Sequence, residues 1–142
     1  MQNMTPDEYR QFMTAGHRTG KLATVGRDGR PHVVPIWFVL EGDDLVFTVF
    51  ETTVKYHNLR RDPRAALCVD DDAPPFSFVM VQGTVTISDP PTDEKRVWTT
   101  RLARRYMGDE LAESYGKRNA VPGELLVRLT PDHIVAQKDL AE

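Results

Sequence analysis

Hydrophobic and polar positions alternate along much of this chain with a period of two, and the breaks in that rhythm mark its helices and turns. Thr5, Pro6, Asp7 and Glu8 form a capping box with proline at the first helical position, and Tyr9, Phe12 and Met13 follow at helical spacing. They predict a short amphipathic helix that stops near Gly16. Lys21 to Val25 then reads as a strand that turns through Gly26, Arg27, Asp28 and Gly29 into a second strand, His32 to Leu40. A turn at Glu41 to Asp44 leads into a third strand, Leu45 to Phe50, so the first half of the chain reads as an antiparallel meander.

The period changes after Phe50. Thr52 and Thr53 are candidate caps for a short helix from Val54 to Arg61, which ends at Asp62 because a residue before proline disfavours helical backbone. A fourth strand covers Ala65 to Val69, and a longer fifth strand, Phe76 to Ile87, is rich in Val, Phe and Thr, with a bulge expected at Gly83. Trp98, Leu102 and Tyr106 fall on one face of a helix beginning near Thr92, with a break at Gly108. Leu125, Val127 and Leu129 alternate in a further strand, and Pro131 sets off a last one around His133 to Ala136. Six or seven mostly antiparallel strands with helices at the start, middle and late part predict a single α+β domain, residues 1–142, built around a barrel.

Composition supports a folded domain and removes several partners. At 142 residues, 40% hydrophobic and 27% charged, the chain is large and apolar enough for a real core. A net charge of −3 gives no electrostatic footprint for nucleic acid or an anionic membrane. The N-terminal run MQNMTPDEYR is polar and acidic, and no apolar run is long enough to span a bilayer, which reads as a cytoplasmic protein. Cys68 is the only cysteine and sits in a strand pattern as a small apolar residue.

Motif chemistry narrows the field further. The chain carries no Walker-type glycine loop, GxGxxG, HExxH, GxSxG or CxxC, and His17, His32, His57 and His133 lack metal-ligand spacing, so no metal is assigned. The run from Phe47 to Lys55 stands apart. It places Thr48, Thr52, Thr53 and Lys55 around a strand end feeding a helix N-terminus, where unpaired N–H groups, hydroxyls and one ammonium together favour a phosphate. The alternative for the same residues is a plain helix cap followed by a solvated lysine.

Three segments then carry a resemblance: GRPHVVPIWF at Gly29 to Phe38, VKYHNLRRDPRAAL at Val54 to Leu67, and FSFVMVQGTVTI at Phe76 to Ile87. Together they resemble the pyridoxamine-phosphate-oxidase-like split β-barrel superfamily, and within it the actinobacterial branch of flavin/deazaflavin oxidoreductases, many of which use coenzyme F420. The resemblance implies an FMN-binding type of split barrel that works as a homodimer, with the cofactor site at the subunit interface. It implies cofactor phosphate at Thr48, Thr53 and Lys55, although relatives often carry an arginine where this chain has Thr53. His32, Val34, Pro35, Ile36 and Trp37 would lie beside the ring, and Phe76 and Phe78 would reach the partner's cofactor or pack as ordinary interface core. Of Trp37 and Phe38, neighbours on a strand, one is expected in the barrel core and the other at the dimer seam. Asn58, Arg60, Arg61, Asp62 and Arg64 are expected to cap, pair and fold the helix-to-strand turn.

The activity so implied is hydride transfer from ring carbon C5 of reduced F420 to a conjugated small-molecule acceptor, with no assigned catalytic side chain; His32 and Tyr56 are the candidate proton donors. FMN-dependent oxidase or reductase chemistry is the alternative on the same fold. A second alternative is a non-enzymatic protein that binds flavin, haem or a hydrophobic ligand. Pyridoxamine-phosphate oxidation itself is disfavoured, because the larger basic set for two phosphates is not seen.

Overall fold

The computed structural model describes residues 1–142, and its architecture is an eight-stranded antiparallel sheet with four helices. In chain order these are β1 (Gln2–Asn3), α1 (Pro6–Thr14), β2 (Gly20–Val25), β3 (Pro31–Ile36), β4 (Val39–Glu41), β5 (Asp44–Phe50), α2 (Val54–Arg61), β6 (Arg64–Asp71), β7 (Ser77–Ser88), α3 (Thr92–Met107), α4 (Asp109–Asn119) and β8 (Glu124–Lys138). The α1 capping box forms as the sequence predicts: the Glu8 N–H donates to the Thr5 hydroxyl, and the Thr5 N–H to the Glu8 carboxylate.

The strand order is β3-β2-β6-β7-β8-β5-β4, with β1 added along β8. This corrects the expected second strand. His32 to Leu40 is not one strand but two, broken at Trp37 and Phe38, and its halves occupy the opposite ends of the strand order. Its first half pairs with β2 and its second with β5, so the simple meander fails and the break curls the sheet into an open barrel. Tyr106 and Arg105 of α3 hold the break in place. The Phe38 N–H donates to the Tyr106 hydroxyl (3.2 Å), which donates to the Arg18 carbonyl (2.9 Å). The Arg105 guanidinium donates to the carbonyls of Phe38 and Met13, both at 2.7 Å.

The C-terminal end also differs from expectation. Pro131 does not separate two strands; β8 runs straight through it, with an irregularity opposite Gln82 and Gly83 where proline's missing N–H is tolerated. Glycine is required on the β7 side, since a Cβ at Gly83 would sit 2.1 Å from the Thr130 carbonyl oxygen. β7 begins at Ser77, so Phe76 precedes it with φ 66° and does not share a strand face with Phe78.

Two cores follow from the alternation. Leu22, Phe38, Leu45, Phe47, Leu67, Val69, Val79, Val81, Val127 and Leu129 are fully buried within the barrel, with Met13 of α1 and Leu59 of α2 closing it. Val39, Val46 and Leu126 point the other way and meet Trp98 and Leu102 of α3. β5 is therefore buried on both faces, which is why Leu45, Val46 and Phe47 are consecutive apolar residues, each contributing roughly 1.5–3 kcal/mol of burial. No helix is long and apolar enough to cross a membrane.

Candidate cofactor cleft

A cleft of about 370 Å³ opens where the break after β3, the outer face of β5, the start of α2 and the α3–α4 pair meet. It has two chemically distinct parts. Pro35, Ile36 and Trp37 form an apolar wall together with Leu102, which lies in the cluster that Trp37 packs against, and Trp37 is stacked on Tyr106 with ring centroids 5.2 Å apart and planes within 3°. The Tyr106 hydroxyl is anchored as described above, so the wall is held by a fixed partner. Around it lie polar groups: the hydroxyls of Thr19, Thr48 and Thr99, the Asn119 amide, the Lys55 ammonium and the Glu124 carboxylate.

The local sequence explains the placement. Along β5 the residues Leu45, Phe47 and Val49 face the barrel interior, so Thr48 faces out with Val46 toward the α3 side. Glu124 pairs in register with Phe50 across β5 and β8, and Leu126 pairs with Thr48, which sets Glu124 diagonally from Thr48. Burial pushes the Glu124 carboxyl above the ordinary carboxylate value, and the Thr48 hydroxyl and the Lys55 and Lys95 ammonium groups pull it part of the way back.

Five residues expected at the cofactor therefore meet in one place: Pro35, Ile36, Trp37, Thr48 and Lys55. The other five do not line this cleft. Thr53 is the N-cap of α2: its hydroxyl donates to the Phe50 carbonyl at 2.7 Å and accepts from the Tyr56 N–H at 3.4 Å, which commits its single proton. His32 and Val34 lie opposite Thr24 and Leu22 on the inward side of β3, and the His32 Nδ1 is buried without a hydrogen-bond partner. Phe76 and Phe78 sit at the β7 start, away from the cleft, and Tyr56 packs against the barrel core. Thr19, Thr99, Leu102, Asn119 and Glu124 were not anticipated. Leu102 was visible only as part of an apolar helix face, and Glu124 depends on a strand pairing across more than seventy residues.

With this geometry in view, the likeness to known proteins becomes specific. The profile of the pyridoxamine 5'-phosphate oxidase family matches residues 5–138, and the chain belongs to that family. Among solved structures it is similar to an F420 reductase, at 27% identity over 87% of this chain and 94% of that one, with a TM-score of 0.70. A conserved hypothetical protein of Mycobacterium tuberculosis matches at 25% identity, TM-score 0.81, over 98% of this chain and 89% of that one. A haem storage protein of Vibrio cholerae shares the fold at 18% identity, TM-score 0.71, covering 99% of this chain and all (100%) of that one.

Proposed function

We propose that this protein is an oxidoreductase that uses reduced coenzyme F420, bound in the cleft between Trp37 and Lys55, to reduce a conjugated small molecule. The carrying observation is the pairing of a flat apolar wall with a polar end that holds an ammonium and several hydroxyls in one cleft of cofactor-site size. Likeness to an F420 reductase supports this reading at the level of a shared family. The donor set fits a ring-plus-phosphate ligand: Pro35, Ile36 and Trp37 would flank the ring, and Lys55 with Thr48 would hold the phosphate. When bound, the cofactor supplies the hydride. The chain's own part is to orient and to exclude water, through a wall fixed by the Trp37–Tyr106 stack and a cation on a short helix.

FMN remains a second ligand for the same cleft, since the apolar wall and Lys55 suit either ring. No histidine, cysteine or methionine lines the cleft, so it offers no customary axial ligand for haem, which weighs against a haem-binding role there. The homodimer belongs to the same proposal. Val33, Ala23, Ala66, Met80 and Val135 alternate with core residues and so share the outer sheet face, with Val33 at 63% exposure, and this face is the proposed subunit seam.

The test is direct titration of the protein with F420 and, separately, FMN, followed by ligand fluorescence, with Lys55→Ala beside the wild type. Losing a charge-assisted hydrogen bond of about 1.5–3 kcal/mol predicts an affinity loss of roughly 10- to 150-fold. Stoichiometric oxidation of reduced F420 on adding a quinone or enone is the expected activity. Micromolar binding of FMN with none of F420 would overturn the cofactor, and binding without electron transfer to any acceptor would overturn the enzyme.

A further inference from the structure

The anion end of the cleft contains a feature that an anion site does not need. Lys55 and Glu124 are the only charged residues among those lining the cleft, so its formal charge is close to zero before any ligand arrives. Lys55 enters no ion pair within 4.0 Å, and Glu124 faces Thr48 instead. The one other nearby cation, Lys95, is 4% exposed and bound to Asp89 at 2.7 Å and to the Val121 carbonyl at 3.3 Å, so its charge is already neutralised locally. A phosphate drawn to Lys55 must therefore settle beside a carboxylate in a half-buried setting, where like charges repel more strongly than in open water.

Resting on the reading above, we propose that Glu124 is a specificity residue: it makes this subsite selective for a singly charged phosphodiester, the group F420 carries, over a doubly charged phosphate monoester, the group FMN carries. One lysine neutralises the single charge of a diester, and the remaining repulsion from Glu124 is borne by a nearly neutral pair. A monoester carries about −1.5 to −2 at neutral pH. Its excess charge stays uncompensated against Glu124. The carboxylate thus weakens binding in proportion to the charge on the phosphate group, and the neutral side chains of Thr48 and Asn119 do not change that order.

Four ligands test this in the wild type and in Glu124→Gln: riboflavin and FMN, which differ by the monoester, and the phosphate-free deazaflavin and F420, which differ by the diester and its tail. Affinities are read from ligand fluorescence at equilibrium and neutral pH, with circular dichroism confirming that the isosteric variant is folded. At roughly threefold per unit of charge on the phosphate for a half-exposed group, the substitution should strengthen FMN about tenfold relative to riboflavin. F420 should gain only about threefold relative to the phosphate-free ring. Equal gains for the two phosphates, or none, would overturn the role of Glu124 while leaving the proposed cofactor intact. If none of the four ligands binds either protein, the proposed function fails and this inference fails with it. Should Glu124→Gln not fold, the wild type decides alone: FMN binding more than about threefold tighter than riboflavin would overturn the proposal.

Discussion

The two ends of helix α2 handle polar groups in opposite ways. At its C-terminal end the charges that build the turn are paired: Arg64 grips Asp62 through two parallel hydrogen bonds of 3.0 and 2.7 Å, and Arg61 donates to the Asn58 side chain and the Val25 carbonyl. At its N-terminal end Lys55 has no ion-pair partner and faces a cleft that also holds the Glu124 carboxyl, whose pKa burial raises. The difference sets a paired, turn-building end against an unpaired ammonium at the cleft across one eight-residue helix. Groups that build the helix-to-strand turn are mutually satisfied, whereas groups left unsatisfied at the cleft are available to a ligand.

The largest effect should come from breaking the satisfied end. Asn58 is 4% exposed, and its amide donates to the Thr24 hydroxyl at 3.0 Å while its carbonyl oxygen accepts from Arg61 at 3.0 Å. Asn58→Ala removes both and leaves buried Thr24 without its donor, which should lower unfolding free energy by about 1–3 kcal/mol in urea titrations. F420 affinity of the folded variant should stay within about twofold. A variant that keeps its stability but loses affinity would dissolve the division between the two ends.

A middle-sized effect tests Thr53, which sits at the N-terminal end yet behaves like the other. Its proton is committed to Phe50, so Thr53→Ala should cost about 1 kcal/mol as a lost cap. Its effect on F420 affinity should be under about threefold, well below that of Lys55→Ala. If Thr53→Ala weakens binding as much as Lys55→Ala, the hydroxyl turns to the ligand and the cap is secondary.

The same residues show what was legible in the sequence. Local signals were reliable: the Thr5 capping box, the Asp62-Pro63 stop and the glycine break at Gly108 all depend on neighbours within a few positions. The break at Trp37 and Phe38 was not legible, because His32 to Leu40 alternates acceptably as one strand and only pairing to two distant strands divides it. Pro131 misled for the complementary reason, since a bulge facing Gly83 accommodates it. Half of the cleft came from Thr19, Thr99, Leu102, Asn119 and Glu124, brought in by long-range register that periodicity does not encode.

The smallest expected effect, and the sharpest distinction between the two ends, is in pH. Asp62 is held down to about 2, first by its side-chain hydrogen bond with Arg64, so its contribution is present above the ordinary carboxylate value and is lost as pH falls toward about 2. Glu124 is shifted the other way, chiefly by burial. The folded state holds its proton more tightly than the unfolded chain, so its contribution is full below the ordinary carboxylate value and is lost as pH rises through the elevated folded one. Thermal unfolding across this range should show the Asp62→Asn deficit shrinking toward acid pH. The melting temperature of Glu124→Gln, in contrast, should gain on wild type as pH rises. Offsets that stay constant with pH for both variants would mean that neither carboxylate senses its end of the helix, and the contrast drawn from their surroundings would fall.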